Sequence, residues 1–254
     1  MIIFKPKYAK INYEKDMLPQ NRREVFFDVL KLQWSKLLLL GVLMYLCYLP
    51  MYYSHLLMII PAIALAGLLR IIRQYAWEEN VFFIHDFGQG IKQNAKQSVL
   101  LVICFYILYT LTLLFFNMSA TISSIAKYLF VFPMAMFLIF LPVFGYMLAV
   151  IPIYNNSFFK NIKICVFVYV KAPLKSLFAM TCVLLPFLPS LSTNVYWNLG
   201  GTAIAALLSP FLLLGLKLFS YNQLDKFINH THFPELVGKG VYIKRGCREI
   251  DSSR

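Results

Sequence analysis

The chain has 254 residues, of which 60% are hydrophobic and only 14% charged, with a mean hydropathy of +0.67. Soluble domains carry about a quarter charged residues, so this composition excludes an ordinary water-soluble domain and leaves room for one membrane domain. The net charge of +13 does not point to nucleic acid, because the Lys and Arg residues fall at the ends of apolar runs, the pattern of membrane topology and headgroup contact.

In chain order, a basic segment, 1–36, precedes the first apolar run and carries Lys5, Lys7, Lys10, Lys15, Arg22, Arg23, Lys31 and Lys36. It lacks the short basic region, short apolar core and small-residue cut site of a cleavable signal, so the first span is expected to be an uncleaved anchor. Four stretches then contain no Asp, Glu, Lys or Arg: Leu37–Leu69, Gln97–Ala126, Tyr128–Phe159 and Ser176–Leu216. About 20 helical residues cross a bilayer. As single helices the first and last of these stretches would be roughly 50 and 60 Å long, so each is expected to cross twice. Breakers locate the turns: Pro50 with the following Met51 to His55, the Ser- and Thr-rich stretch Asn117–Lys127, and Pro186, Pro189 and Ser190 to Asn194. The expected spans are therefore 37–53, 55–73, 98–117, 128–151, 176–190 and 199–219.

Charge supports six crossings with both termini cytoplasmic. The inner segments 1–36, 70–97, 152–175 and 217–254 then hold 23 of the 24 Lys and Arg residues and all 11 acids, leaving only Lys127 outside. This is the positive-inside pattern. The expected fold is all-α: a polytopic membrane bundle over 37–220, flanked by a cytoplasmic or interfacial N-terminal segment and a cytoplasmic tail, 221–254.

Each odd-numbered span is preceded by a leader that opens on Phe-Phe and closes on Lys: Val25-Phe26-Phe27-Asp28 to Lys36, Val81-Phe82-Phe83-Ile84 to Lys96, and Ser157-Phe158-Phe159-Lys160 to Lys175. In the first, Val25, Phe26, Val29, Leu30 and Leu32 are expected to form an apolar stripe opposite Arg22, Arg23, Glu24, Lys31 and Gln33. That arrangement suits an amphipathic helix lying at the interface. Three hairpins with interfacial leaders would follow, although the general need for aromatics and a Lys before any span accounts for the likeness equally well.

The stretch Ala66-Gly67-Leu68-Leu69-Arg70-Ile71-Ile72-Arg73, followed by Val81 to Gln97 with Phe87-Gly88-Gln89-Gly90-Ile91-Lys92-Gln93-Asn94-Ala95-Lys96-Gln97, resembles the YesL-like family of bacterial membrane proteins. In that family an Arg-bearing second span is followed by a short acidic loop and an F-x-x-x-[FI]-K-x-N-x-K-Q segment. The residue-level likeness is confined to about residues 66–97. The leader Leu18 to Glu24 and the C-terminal tail do not follow the family pattern. Members are uncharacterised; the resemblance implies a non-enzymatic accessory role beside solute uptake, with carbohydrate as the expected cargo.

The densest polar cluster surrounds this stretch. Arg70, Arg73, Asp86, Lys92, Asn94 and Lys96 form the candidate site for a lipid headgroup or anionic ligand, since arginine grips phosphate as a planar fork. Arg70 and Arg73 are expected to share a face and to pair with Glu78, Glu79 or Asp86, and topological anchoring accounts for the same residues. His85-Asp86 could orient a general base, but no nucleophile stands at recognisable spacing. His230-x-His232 offers only two metal ligands. Cys47, Cys104, Cys165, Cys182 and Cys247 show no C-x-x-C spacing, so neither a metal nor any other cofactor is expected. Apart from His55 at an outer turn, the expected span interiors hold no ionisable group, which weighs against an ion-coupled pump. The expected partners are membrane lipids, with a membrane protein or a second copy of this chain. Two further readings stay open: a small permease or lipid-handling transporter, and an interfacial enzyme using Asp28, His85, Asp86 or Glu78.

Overall fold

A computed structural model describes residues 21–77, 79–121, 131–184, 194–239 and 241, and every regular element among them is helical. The main helices are α1 (Arg22–Tyr48), α2 (Ile59–Ala76), α3 (Phe83–Thr121), α4 (Val131–Val150), α5 (Phe158–Lys171), α6 (Pro173–Leu184) and α7 (Val195–Leu224). A π-turn over Asp225–Asn229, a short turn at His230–His232 and a 3-10 turn at Pro234–Leu236 follow α7.

Local sequence sets the boundaries. α1 gives way to a 3-10 turn, Leu49–Tyr52, with proline in its first turn, because Pro50 has no N–H to continue the α-helical ladder. A second such turn, His55–Met58, leads into α2; the expected break in the first apolar run therefore occurs where Pro50 put it. At the start of α7, the Asn194 side chain accepts from the backbone N–H of Tyr196 at 3.0 Å, satisfying one of the free donors of the first turn. Between α5 and α6, Ala172 adopts φ −145°, ψ 59°, since the residue before a proline is driven out of helical backbone. The chain turns there by 107°.

Only the third leader is a separate helix. The first and second run without a break into the apolar stretches behind them, forming the 27-residue α1 and the 39-residue α3. No proline stands at Lys36-Leu37 or Lys96-Gln97, whereas Pro173 interrupts the third leader before its closing Lys175. The buried stripe of α1 also differs from the expected one. It runs Val25, Val29, Gln33, Leu37, so Gln33 faces inward and Leu32, 49% exposed, faces outward.

Side-chain contacts fix the direction of each helix. α1 and α7 are antiparallel: Arg22 meets Asp225 at one end, and Gly41 lies so close to α7 that a Cβ there would fall 2.7 Å from the Leu207 carbonyl oxygen. α2 and α3 form an antiparallel hairpin, with Gly90 against Ala66 and Gln89 against Arg70. α3 and α4 are paired by Phe105 and Phe144, ring centroids 4.7 Å apart. α6 climbs back along α4, where the Tyr146 hydroxyl lies 2.7 Å from Ser176 Oγ. α7 runs the same way as α2, because Lys217 reaches Leu69 and Tyr221 reaches Trp77. Apart from α5, successive helices thus alternate in direction.

Four described helices are long and apolar enough to cross a membrane: Arg22–Tyr52, Ile59–Ala76, Phe83–Phe115 and Tyr196–His232; α5 and α6 add a fifth if the bent pair counts as one. α2 is the central helix, with 67% of its apolar window buried inside the protein, against 11% for α3. The expected turn at Asn117–Lys127 begins later than the sequence indicates, since α3 continues through Thr121. Lys127, Pro186, Pro189 and the tail beyond Val241 lie outside the described residues, as does Glu78.

Candidate functional site at the basic end of the bundle

The start of α1, the ends of α2, α4 and α7 and the start of α3 meet at one end of the bundle, and all the described ion pairs lie there. The six candidate residues do not form one site. Arg70 and Asp86 come together between α2 and α3: the guanidinium lies 3.8 Å from Asp86 Oδ1 and donates at 2.6 Å to Gln89 Oε1 and also to Gln93 Oε1. Asp86 is buried and accepts from the Phe82 backbone N–H at 2.7 Å. His85 is exposed, with its Nδ1 3.7 Å from Asp86. With its oxygens engaged by Phe82 and Arg70, Asp86 serves as a helix-start cap and an arginine partner.

Lys92 and Lys96 point away, exposed, and Asn94 is buried on another face. Asp86, Gln89 and Gln93 of α3 reach Arg70 on α2, whereas Lys92 stands about 60° around α3 from Gln89.

Arg73 belongs to a second cluster. Its guanidinium donates to the Pro152 carbonyl at 2.9 Å and to Glu79 at 3.2 Å and lies 4.8 Å from the centre of the Trp77 ring. Lys239 places its ammonium 4.6 Å from the same ring. Trp77 abuts Tyr221 on α7, and Arg22 stacks over Tyr221 at 5.5 Å. Arg22 donates to Asp225 and to the Lys239 carbonyl, the latter at 3.3 Å. Asp225 also accepts from Asn229 Nδ2 at 2.6 Å and from the Gly238 N–H at 3.3 Å. Gly238 stands at φ 70°, the left-handed backbone that glycine adopts at no steric cost, and so turns the tail back over the bundle. The Tyr154 hydroxyl donates to Asn229 Oδ1. Burial pushes the Tyr154 phenol well above its ordinary value, and the Asp225 carboxylate adds to the shift.

At the floor of this cluster lies Lys217, fully buried on α7 and donating to the Leu69 carbonyl. It stands at the inner end of the expected span 199–219, and its side chain is turned into the protein. Above Lys217, three cations, Arg22, Arg73 and Lys239, share the cluster with two carboxylates, Asp225 and Glu79. Among the described residues, buried oxygens on Gln33, Gln74 and Tyr221 find no hydrogen-bond partner, nor does Arg73 Nε. The crevice beside Ser176, Ser220 and Tyr146 between α4, α6 and α7 is too small to admit a water molecule. No group of three or more metal-ligating side chains occurs among the described residues.

Sequence reasoning missed Arg22, Trp77, Tyr154, Lys217, Tyr221, Asp225 and Asn229. One signal was available: no Asp or Glu occurs between Asp86 and Asp225, so the first acid after so long a gap, with Asn229 one helical turn on, marks a position built for a cation. No family model, curated protein or solved structure matches the chain.

Proposed function

We propose that the protein is a six-pass integral membrane protein with both termini cytoplasmic, and that it serves as a non-enzymatic, partner-binding accessory subunit beside a solute uptake system. The alternating helix directions and the confinement of Lys and Arg to the expected inner segments support the topology. The resemblance to YesL-like proteins supports the uptake role and makes carbohydrate the expected cargo. The observation that carries the partner-binding reading is α3: of its most apolar 18-residue window only 11% is buried inside the protein. Purification in mild detergent should recover a stoichiometric membrane protein partner, whereas a lone chain would refute this reading.

One observation favours a second reading, a small permease. Ionisable groups buried in a membrane bundle mark ion and substrate paths, and Lys217 is fully buried at the inner end of the apolar stretch of α7, two helical turns past Pro210, a proline inside that helix. Flux of sugars or small anions into liposomes holding this chain alone, abolished by Lys217→Met, would establish it over the accessory role.

A further inference from the structure

The bend at Ala172-Pro173 sets α5 across the axis of α6 at the basic end, where Asn161 donates to Gln97 Oε1 of α3 at 3.0 Å. α5 has three distinct sides. Asn161, Cys165 and Val168 are buried against the bundle. At about 100° per residue, Phe159, Val166 and Val170 line a second side; all three are exposed, Phe159 by 74% and Val170 by 67%. Lys160 and Lys171 line the third, also exposed, with the Lys171 ammonium 5.6 Å from the Phe167 ring centre, and the exposed Lys163 stands at the border between the two sides, about 20° from Val170.

A soluble helix would bury the second side or make it polar, and here neither has happened. The third side has no anion of its own: α5 contains no acid, the chain has none between Asp86 and Asp225, and none of the three lysines is ion-paired among the described residues. An apolar stripe beside a basic stripe, on a helix lying across the bundle end, fits one surface, in which acyl chains lie beneath phosphates. We infer that α5 binds anionic phospholipid of the cytoplasmic leaflet, with Phe159, Val166 and Val170 dipped into the acyl region and Lys160, Lys163 and Lys171 on the headgroup phosphates. The inference rests on the membrane topology proposed above and not on the accessory role.

Native mass spectrometry of the full-length protein, exposed to phosphatidylglycerol and phosphatidylcholine in equal amounts, tests it. Each lysine near an anionic surface is worth about a fivefold preference, so Lys160→Gln/Lys163→Gln/Lys171→Gln should cut the preference for phosphatidylglycerol on the order of a hundredfold. Lys92→Gln/Lys96→Gln, which removes two exposed lysines from α3, should leave it intact, and soluble glycerol phosphate should not displace the bound lipid. The inference falls if the triple variant keeps the preference, if the α3 pair removes it equally, or if glycerol phosphate competes. Loss of a co-purified protein from the triple variant with lipid preference unchanged would assign the face to that protein and overturn the lipid. Labelling of the termini from outside intact cells would defeat the topology itself, and that result is separate from any lipid measurement.

Discussion

Replacement of Lys217 tests the physical reading of the bundle most directly. Its side chain has no accessible surface, its one described hydrogen bond goes to the Leu69 carbonyl, and it forms no ion pair among the described residues. A buried ion with no counterion keeps most of its desolvation cost, and apolar groups of similar size in place of buried charges are often neutral or stabilising by about 1–4 kcal/mol. Methionine matches the length of the lysine stem and leaves no charge. Leu69 lies within α2, so its carbonyl keeps the hydrogen bond from the helical N–H four residues on. Lys217→Met should therefore raise the thermal midpoint by several degrees, at about 2–4 °C per kcal/mol for a chain of this size. Lys217→Ala removes the charge but also the stem, and the void costs about 2–4 kcal/mol, which cancels the gain. Both variants can be ranked by thermal unfolding in detergent. If Lys217→Met lowers the midpoint by more than a few degrees, Lys217 is held by an anion or a polar network, and the description of an uncompensated cation fails.

The remaining predictions concern the contacts that hold the helices together. Gly41→Val puts a Cβ 2.7 Å from the Leu207 carbonyl oxygen, against backbone that cannot swing aside. It should destabilise by about 1–3 kcal/mol or more, whereas Gly200→Ala, with nothing within 4 Å of its Cβ, should leave the thermal midpoint unchanged or slightly raised. Asp225→Asn should cost about 1–3 kcal/mol because it leaves Arg22 half-paired and withdraws charge from the bonds to Asn229 and Gly238; limited proteolysis should show the tail cut faster. Tyr154→Phe should cost about 1 kcal/mol at neutral pH through the lost bond to Asn229. The Tyr154 phenol is raised in the folded protein, so its contribution is complete below the ordinary tyrosine value, about 10, and is lost as pH climbs above it. The wild-type midpoint should accordingly fall more steeply than that of Tyr154→Phe above about pH 10, and parallel curves would refute the assignment.

The sequence conveyed the helices themselves and their division into polar and apolar ends, because a long uncharged run has few stable forms besides a helix. It conveyed the break at Pro50 for the same reason that it conveyed the elbow only indirectly: proline acts locally. The three leaders look alike in composition, yet one proline, Pro173, separates the third from its span while the other two are continuous. Composition cannot carry that difference, which lies in one proline ring that drives the preceding Ala172 out of helical backbone. Arg70 and Arg73 were read as sharing a face. Residues three apart on a helix differ by about 60° around it, and α2 is packed on several sides, so that interval is enough to send Arg70 to α3 and Arg73 to Pro152 and Trp77. Lys217 escaped because it stands at the edge of an apolar stretch, where a lysine is ordinarily an anchor reaching for water. Only the approach of α2 and α7 shows that its ammonium is turned into the protein instead.

The same pair of helices, α1 and α7, is tied at both ends, and the two ties differ in chemistry. At the basic end Arg22 meets Asp225, with the folded-back tail adding the Gly238 N–H and the Lys239 carbonyl. At the far end the Tyr52 hydroxyl lies 2.9 Å from Asn198 Oδ1 and 2.8 Å from Thr202 Oγ1, with no charge involved. A neutral clasp has a reason beyond packing. Lys and Arg close to a span end bias that end toward the cytoplasm, so under the topology proposed above a salt bridge at the Tyr52 end would set a cation against the direction of insertion. A tyrosine, an asparagine and a threonine provide comparable geometric closure with no topological consequence. The uneven placement of charge along this chain thus bears on two requirements at once, holding α1 against α7 and leaving the insertion of both helices unopposed.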